Sequence, residues 1–145
     1  MISPSPAVET GGAPAQSGGL VLLRRVLAVD AVVTTGNGLI YLIAAGPVGR
    51  LLGVPSDLLL GLGVFLTLYG LVVGYLAMRP VPPAGGVRAV IVGNSAWAVA
   101  SIGVLLSGWL DPSLAGTVWI PAQAAVVAGL AGLQAVALRR LRNGR

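Results

Sequence analysis

Hydrophobic positions in this chain gather into four long runs, parted by short segments rich in Gly and Pro. The runs cover about residues 20–45, 58–78, 88–109 and 116–138, each near the ~20 residues a helix needs to cross a hydrocarbon layer of ~30 Å. Between them lie the connectors GPVGRLLGVPSD, RPVPPAGGV and LDPSLAG, whose Gly and Pro punctuate structure. In lipid every backbone N–H and C=O must be paired within the protein, so single apolar runs of this length are helices. The pattern predicts an all-α polytopic membrane protein, with four transmembrane helices in an antiparallel bundle over residues 20–139. Residues 1–19 (MISPSPAVETGGAPAQSGG) carry no apolar periodicity and predict a disordered cytoplasmic tail. Residues 140–145 predict a short basic cytoplasmic tail.

Arginines mark the ends of the runs and set the orientation. Placing the N-terminus inside puts Arg24, Arg25, Arg79, Arg88, Arg139, Arg140, Arg142 and Arg145 in the cytoplasm, eight of the nine basic residues, and leaves Arg50 outside. The positive-inside rule therefore predicts both termini in the cytoplasm and a multi-pass protein of the plasma membrane. Trp109 and Trp119 flank the last outer connector, at the depth where amphipathic rings favour the headgroups. The first run is much longer than the ~7–15 residues of a signal-peptide core and is broken by Asp30 and Asn37, so it is expected to stay as a helix.

Polar residues within the runs are few and fall on defined helical faces. Asp30, Thr34, Asn37 and Tyr41 recur at steps of four, three and four, which is one face of a helix. Asn94, Trp97 and Ser101 share a face of the third run, and Gln123 and Gln134 share one of the fourth. Exposing amides or a carboxylate to lipid is costly, so these faces are expected to point inward. Counted at ~1.5 Å per residue from the flanking arginines, Asp30, Asn94 and Gln134 lie roughly 8–9 Å inside one boundary. They form a candidate cluster, with the Tyr75 hydroxyl reaching it from the second run. Asn37, Ser101 and Gln123 form a candidate outer polar layer. Small residues at Gly70 and Gly74, and at Ala124, Ala128 and Gly132, offer stripes for close helix packing, within the chain or in a homo-oligomer.

Asp30 is the chemically sharpest position. It either binds and releases a proton or cation during transport, or accepts interhelical hydrogen bonds or an arginine as structural glue. A shift of 64 residues lays Arg24 on Arg88, Val26 on Val90 and Asp30 on Asn94, a faint internal echo.

Composition then removes whole classes of chemistry. Charged residues make up 9% of the chain and hydrophobic ones 56%, with a mean hydropathy of +0.92, far from the roughly one-quarter charged of a soluble domain. The absence of Cys and His takes away thiol nucleophiles, imidazole acid–base chemistry and the usual zinc sites. Glu9, Asp30, Asp57 and Asp111 are the only acids, so no metal site, cofactor or catalytic pair is expected, and the serines have no base to activate them. The net charge of +5 is spread over helix ends rather than gathered with aromatics, which argues against a nucleic-acid partner.

Leu23-Arg24 leading to Asp30, Asn94-x-x-Trp97, and Gly116-Thr-Val-Trp119 together resemble a group of small four-helix integral membrane proteins of high-GC Gram-positive bacteria, over roughly residues 20–140. That resemblance implies topology and no chemistry. The chain is also similar in size to the small multidrug-resistance transporters, which carry a first-helix carboxylate that couples drug and proton binding. It departs from them in having Asp for Glu, a shallower position and a strong arginine bias. The expected function is a non-enzymatic structural or regulatory protein, or the subunit of a membrane partner, lying in a lipid bilayer. The alternative is a small proton- or cation-coupled transporter using Asp30.

Overall fold

The computed structural model describes residues 13–144, with side chains from residue 18 onward. Within that range there are five helices: α1 (Ala13–Ile43), α2 (Ala45–Leu52), α3 (Ser56–Met78), α4 (Ala84–Ser107) and α5 (Leu114–Asn143). The four long ones, α1, α3, α4 and α5, are each long and apolar enough to cross a membrane. Their outward faces carry large apolar side chains, with Val32 73%, Val99 74% and Leu106 80% exposed. Water penalises such a surface and hydrocarbon does not.

The helix ends follow local chemistry. α3 stops at Met78 because Arg79 precedes Pro80 and takes an extended ψ of 136°, the conformation a following proline imposes. Both α2 and α4 end on a left-handed glycine, Gly53 at φ 69° and Gly108 at φ 75°. Such a conformation costs a residue with a Cβ about 1–2 kcal/mol. Ser113 joins two ends at once. Its hydroxyl accepts from Gly116 N as the α5 N-cap, while its own N–H and hydroxyl donate to the last carbonyls of α2, Leu52 and Leu51.

Three boundaries differ from the sequence reading. Residues 13–19, expected in a disordered tail, form the first turns of α1, and residues 1–12 of that tail lie outside the described residues. Residues 140–143, expected in a basic tail, continue α5, and Arg145 lies outside the described residues. The two extensions support each other, since Gly19 is buried against Arg140 and Leu141. The connector after the first run holds α2. Its Pro47 sits in the first turn, where a missing N–H costs nothing, and Ala45, Gly49 and Leu52 are buried beneath it.

α1 packs most extensively on α3 and also on α5, while α4 packs on α5. α3 and α4 touch at few points. The α1–α3 seam is closed by glycines. A Cβ on Gly38 would stand 2.7 Å from Thr67 N and 3.0 Å from Gly63 O, and one on Gly70 would stand 2.8 Å from Thr35 N. Gly74 meets Ala31 at ordinary contact distance. On α5, Ala124, Ala131 and Leu138 are buried at steps of seven, whereas Ala128 is exposed and Gly132 has no neighbour within 4 Å of a built Cβ. Steps of four overshoot one turn by about 40° each, so the Ala124, Ala128, Gly132 stripe rotates out of the contact. It therefore does not serve as a packing stripe within the chain.

These seam distances predict opposite effects from two neighbouring glycines. Gly38→Ala forces a Cβ against backbone and should lower the unfolding free energy by about 1–3 kcal/mol. Gly36→Ala, with nothing within 4 Å of its Cβ, should leave stability unchanged or raise it by up to ~1 kcal/mol. Denaturant unfolding in detergent, followed by circular dichroism, measures both.

Candidate functional site

Asp30 lies between two apolar clusters. Leu23, Leu27, Val73, Val87 and Ala137 fill the arginine-rich end, and Tyr41, Leu52, Leu59 and Leu66 fill the end held by Ser113. The carboxylate is 1% exposed. Thr34, one turn on in α1, donates its hydroxyl to Asp30 Oδ1 at 2.9 Å. Asn94 Nδ2 from α4 and Gln134 Nε2 from α5 each donate to Asp30 Oδ2 at 2.7 Å. Asn94 Nδ2 also donates to Gln134 Oε1 at 3.3 Å, and the Tyr69 hydroxyl of α3 lies 3.0 Å from Asn94 Oδ1 and 3.1 Å from Val90 O. Three of the long helices thus meet at one carboxyl group, and α3 joins them through the Tyr69–Asn94 bond. Its neighbours are three donors and no acceptor, the set that suits a carboxylate. Among the described residues no buried side-chain polar atom is left without a partner.

Local sequence explains the arrangement. Asp30 and Thr34 are four apart on α1 and so stack on one face. Gly93 precedes Asn94, and a Cβ there would stand 2.8 Å from the Tyr69 hydroxyl. The missing side chain is what lets the tyrosine cross from α3 to α4.

Of the residues expected in this cluster, the structure brings together Asp30, Asn94 and Gln134. It does not bring Tyr75. That ring is 59% exposed, and its hydroxyl accepts from Arg79 Nη1 at 3.1 Å, with the guanidinium 5.8 Å from the ring centre. Tyr75 stands six residues from Tyr69, about 9 Å along α3 and about 120° around it, so it misses the cluster in both respects. Tyr69 takes the place assigned to Tyr75. Two signals pointed to it: its position beside Gly70 in the glycine seam, and the glycine preceding Asn94.

The expected outer layer does not form as a unit. Gln123 accepts from Trp97 Nε1 at 2.8 Å and donates to Ile120 O at 2.8 Å. Ser101 turns back to Trp97 O in its own helix at 2.7 Å. Asn37 is half-buried and makes no side-chain hydrogen bond among the described residues, its amide being left accessible rather than enclosed. Arg24 does not reach Asp30 either. It donates to Ala77 O at 3.1 Å, meeting one of the carbonyls that a helix leaves free at its C-terminus. Trp119 turns inward, its Nε1 donating to the Tyr41 hydroxyl at 2.9 Å.

A cavity of about 580 Å³ opens beside the cluster, reached by side chains of all four long helices. Phe65, Tyr69, Trp97 and Trp119 wall it, with the Phe65 ring stacked 5.8 Å from Tyr69 and 6.1 Å from Trp97. Thr34 and Asn94 border it, but Asp30 and Gln134 lie behind them and do not. A smaller cavity of about 240 Å³ lies toward the Ser113 end, sharing Trp97, Trp119 and Gln123 as its partition. Among the described residues no three His, Cys, Asp or Glu side chains gather to hold a metal. Chemically, the site can tie helices and receive an uncharged molecule.

No protein-family model, curated protein or solved structure matches this chain.

The cluster geometry separates the two tyrosines. Tyr69→Phe should cost about 0.5–1.5 kcal/mol of unfolding free energy and Tyr75→Phe close to none. Asp30→Leu, which leaves three buried donors facing a methyl group, should cost about 1–3 kcal/mol or more. Gln134→Leu in the Asp30→Leu background should then cost less than in the wild type, a coupling that a double-mutant cycle reads directly.

Proposed function

We propose that this chain is a multi-pass plasma-membrane protein, an antiparallel four-helix bundle with both termini in the cytoplasm, and that it acts without catalysis as a structural or regulatory protein or as the subunit of a membrane partner. The arginines support the orientation, since Arg24, Arg25, Arg79, Arg88, Arg139, Arg140 and Arg142 share one end of the helix set. The observation that carries the structural role is the saturation of Asp30: three neutral donors from the chain occupy it, and Thr34 and Asn94 stand between it and the cavity. A carboxyl group used as glue is held in this way, whereas one that loads and unloads cargo needs access to it.

For a partner, the outward stripe of Ala128 and Gly132 on α5 allows another apolar helix, of a second copy or of a different membrane protein, to approach closely. The second reading, proton- or cation-coupled transport through Asp30, rests on the cavity lying one side chain away from the carboxylate.

Purified protein in liposomes with an imposed pH gradient separates the two. A structural role predicts no proton-linked flux above empty vesicles, and normal membrane insertion but lower stability for Asp30→Asn. Flux that is present in the wild type and lost in a correctly inserted Asp30→Asn protein would replace the structural reading with the transport one. For topology, a carboxy-terminal green fluorescent protein fusion should fluoresce and an alkaline phosphatase fusion should be inactive.

A further inference from the structure

Asn37 lies within the hydrocarbon-spanning part of α1 with its amide facing a cavity rather than a partner. Every other polar side chain on that wall is engaged: Thr34 with Asp30, Asn94 with Asp30 and Tyr69, and Gln123 with Trp97. An amide without a partner at this depth is costly, and hydrocarbon chains cannot satisfy it.

The rest of the wall says what can. Among the described residues no charged side chain borders the cavity, because Asp30 is shielded and the arginines lie at helix ends. Four of the chain's aromatic residues face it, out of three Trp, three Tyr and one Phe in all. Flat aromatic walls stack well on a flat ring. Water alone fills such a space poorly, since apart from the Asn37 amide the wall is mostly apolar and aromatic and a held water needs 2–4 polar partners. The volume of about 580 Å³ falls within the range of small-molecule sites, about 300–1,000 Å³.

We propose that this cavity is a binding site for an uncharged, flat-ringed, membrane-soluble amphiphile, whose hydroxyl or carbonyl group bonds the Asn37 amide. The ligand reaches it from the lipid between α3 and α4, which touch at few points. This site goes beyond the role proposed above and holds whichever way the chain is oriented in the membrane.

Energy transfer from tryptophan to anthracene tests the proposal on the full chain in nanodiscs. Trp109→Phe provides the background, because Trp97 and Trp119 both border the cavity and Trp109 does not. Three probes of one ring system are compared: 9-anthracenemethanol, 9-anthracenecarboxylate and the cationic (9-anthrylmethyl)trimethylammonium. The expected result is saturable transfer with the neutral probe above the linear signal of membrane partitioning, and no saturable transfer with either ion. Asn37→Leu should weaken that binding about 2- to 10-fold, the worth of one neutral hydrogen bond. Filling the cavity from α4 with Ala100→Phe, or from the α5 wall with Ala122→Phe should the first not fold, should abolish it. Transfer that stays linear in the neutral probe overturns the proposal. Saturable transfer unchanged in Asn37→Leu and in the filled variant overturns it too, by placing the site elsewhere. Tightest binding of the cation overturns the ligand class and points back to Asp30.

Discussion

A carboxylate placed in an apolar interior has to be met by donors, and most of the interior architecture follows from that requirement. Insertion scales charge roughly 2.5–3.5 kcal/mol for an acidic side chain at mid-membrane. Thr34, Asn94 and Gln134 offset that cost by donating to Asp30 from three helices. Tyr69 then fixes Asn94 from the fourth by bonding its carbonyl oxygen. Once these side chains are held, the rotational setting of α1, α4 and α5 about their own axes is no longer free. The apolar clusters on either side can only pack in register with it.

The same frame has one tight seam and one loose one. Between α1 and α3 the backbones come close because Gly38, Gly63 and Gly70 carry no side chain, which raises van der Waals contact where apolar burial supplies no drive. Between α3 and α4 the contacts are few, and aromatic stacking of Phe65 on Trp97 and the Tyr69 hydroxyl span the gap. The cavity is a consequence of that difference. Glycines draw α3 onto α1 and the carboxylate draws α4 and α5 to it, while α3 and α4 are held apart at the distance that large rings impose.

Much of this was legible in the residues. Run length and the Gly- and Pro-rich connectors place the four long helices, because lipid leaves an isolated apolar segment no other way to pair its backbone. Spacing and depth together put Asp30, Asn94 and Gln134 on one level. Tyr75 was misplaced because counting from Arg79 gives neither the angle around α3 nor the ~9 Å along it that separate it from Tyr69. α2 was hidden because Pro47 and its glycines read as turn signals, although a proline in a first turn is compatible with a helix. Of the two uses the α5 stripe offered, packing within the chain fails because four-residue repeats drift around a helix, and the buried positions instead follow steps of seven. Asn37, Ser101 and Gln123 share a depth but not a bonding arrangement, which sequence spacing within single helices does not encode. The pairing between Asp30 and Asn94 coincides with the 64-residue echo, so the two positions that the shift superposes face each other across the interior.

Synthesis order adds a timing problem to the Asp30 arrangement. Its amide donors lie 64 and 104 residues downstream, so α1 leaves the ribosome with its carboxyl group supported only by Thr34. The glycine seam can zip α1 to α3 as soon as the hairpin exists, whereas the acid waits for α4 and then α5. The carboxyl group's neighbours are therefore assembled in two later steps, Asn94 with α4 and Gln134 with α5, and the polar site closes only when both helices have docked against α1.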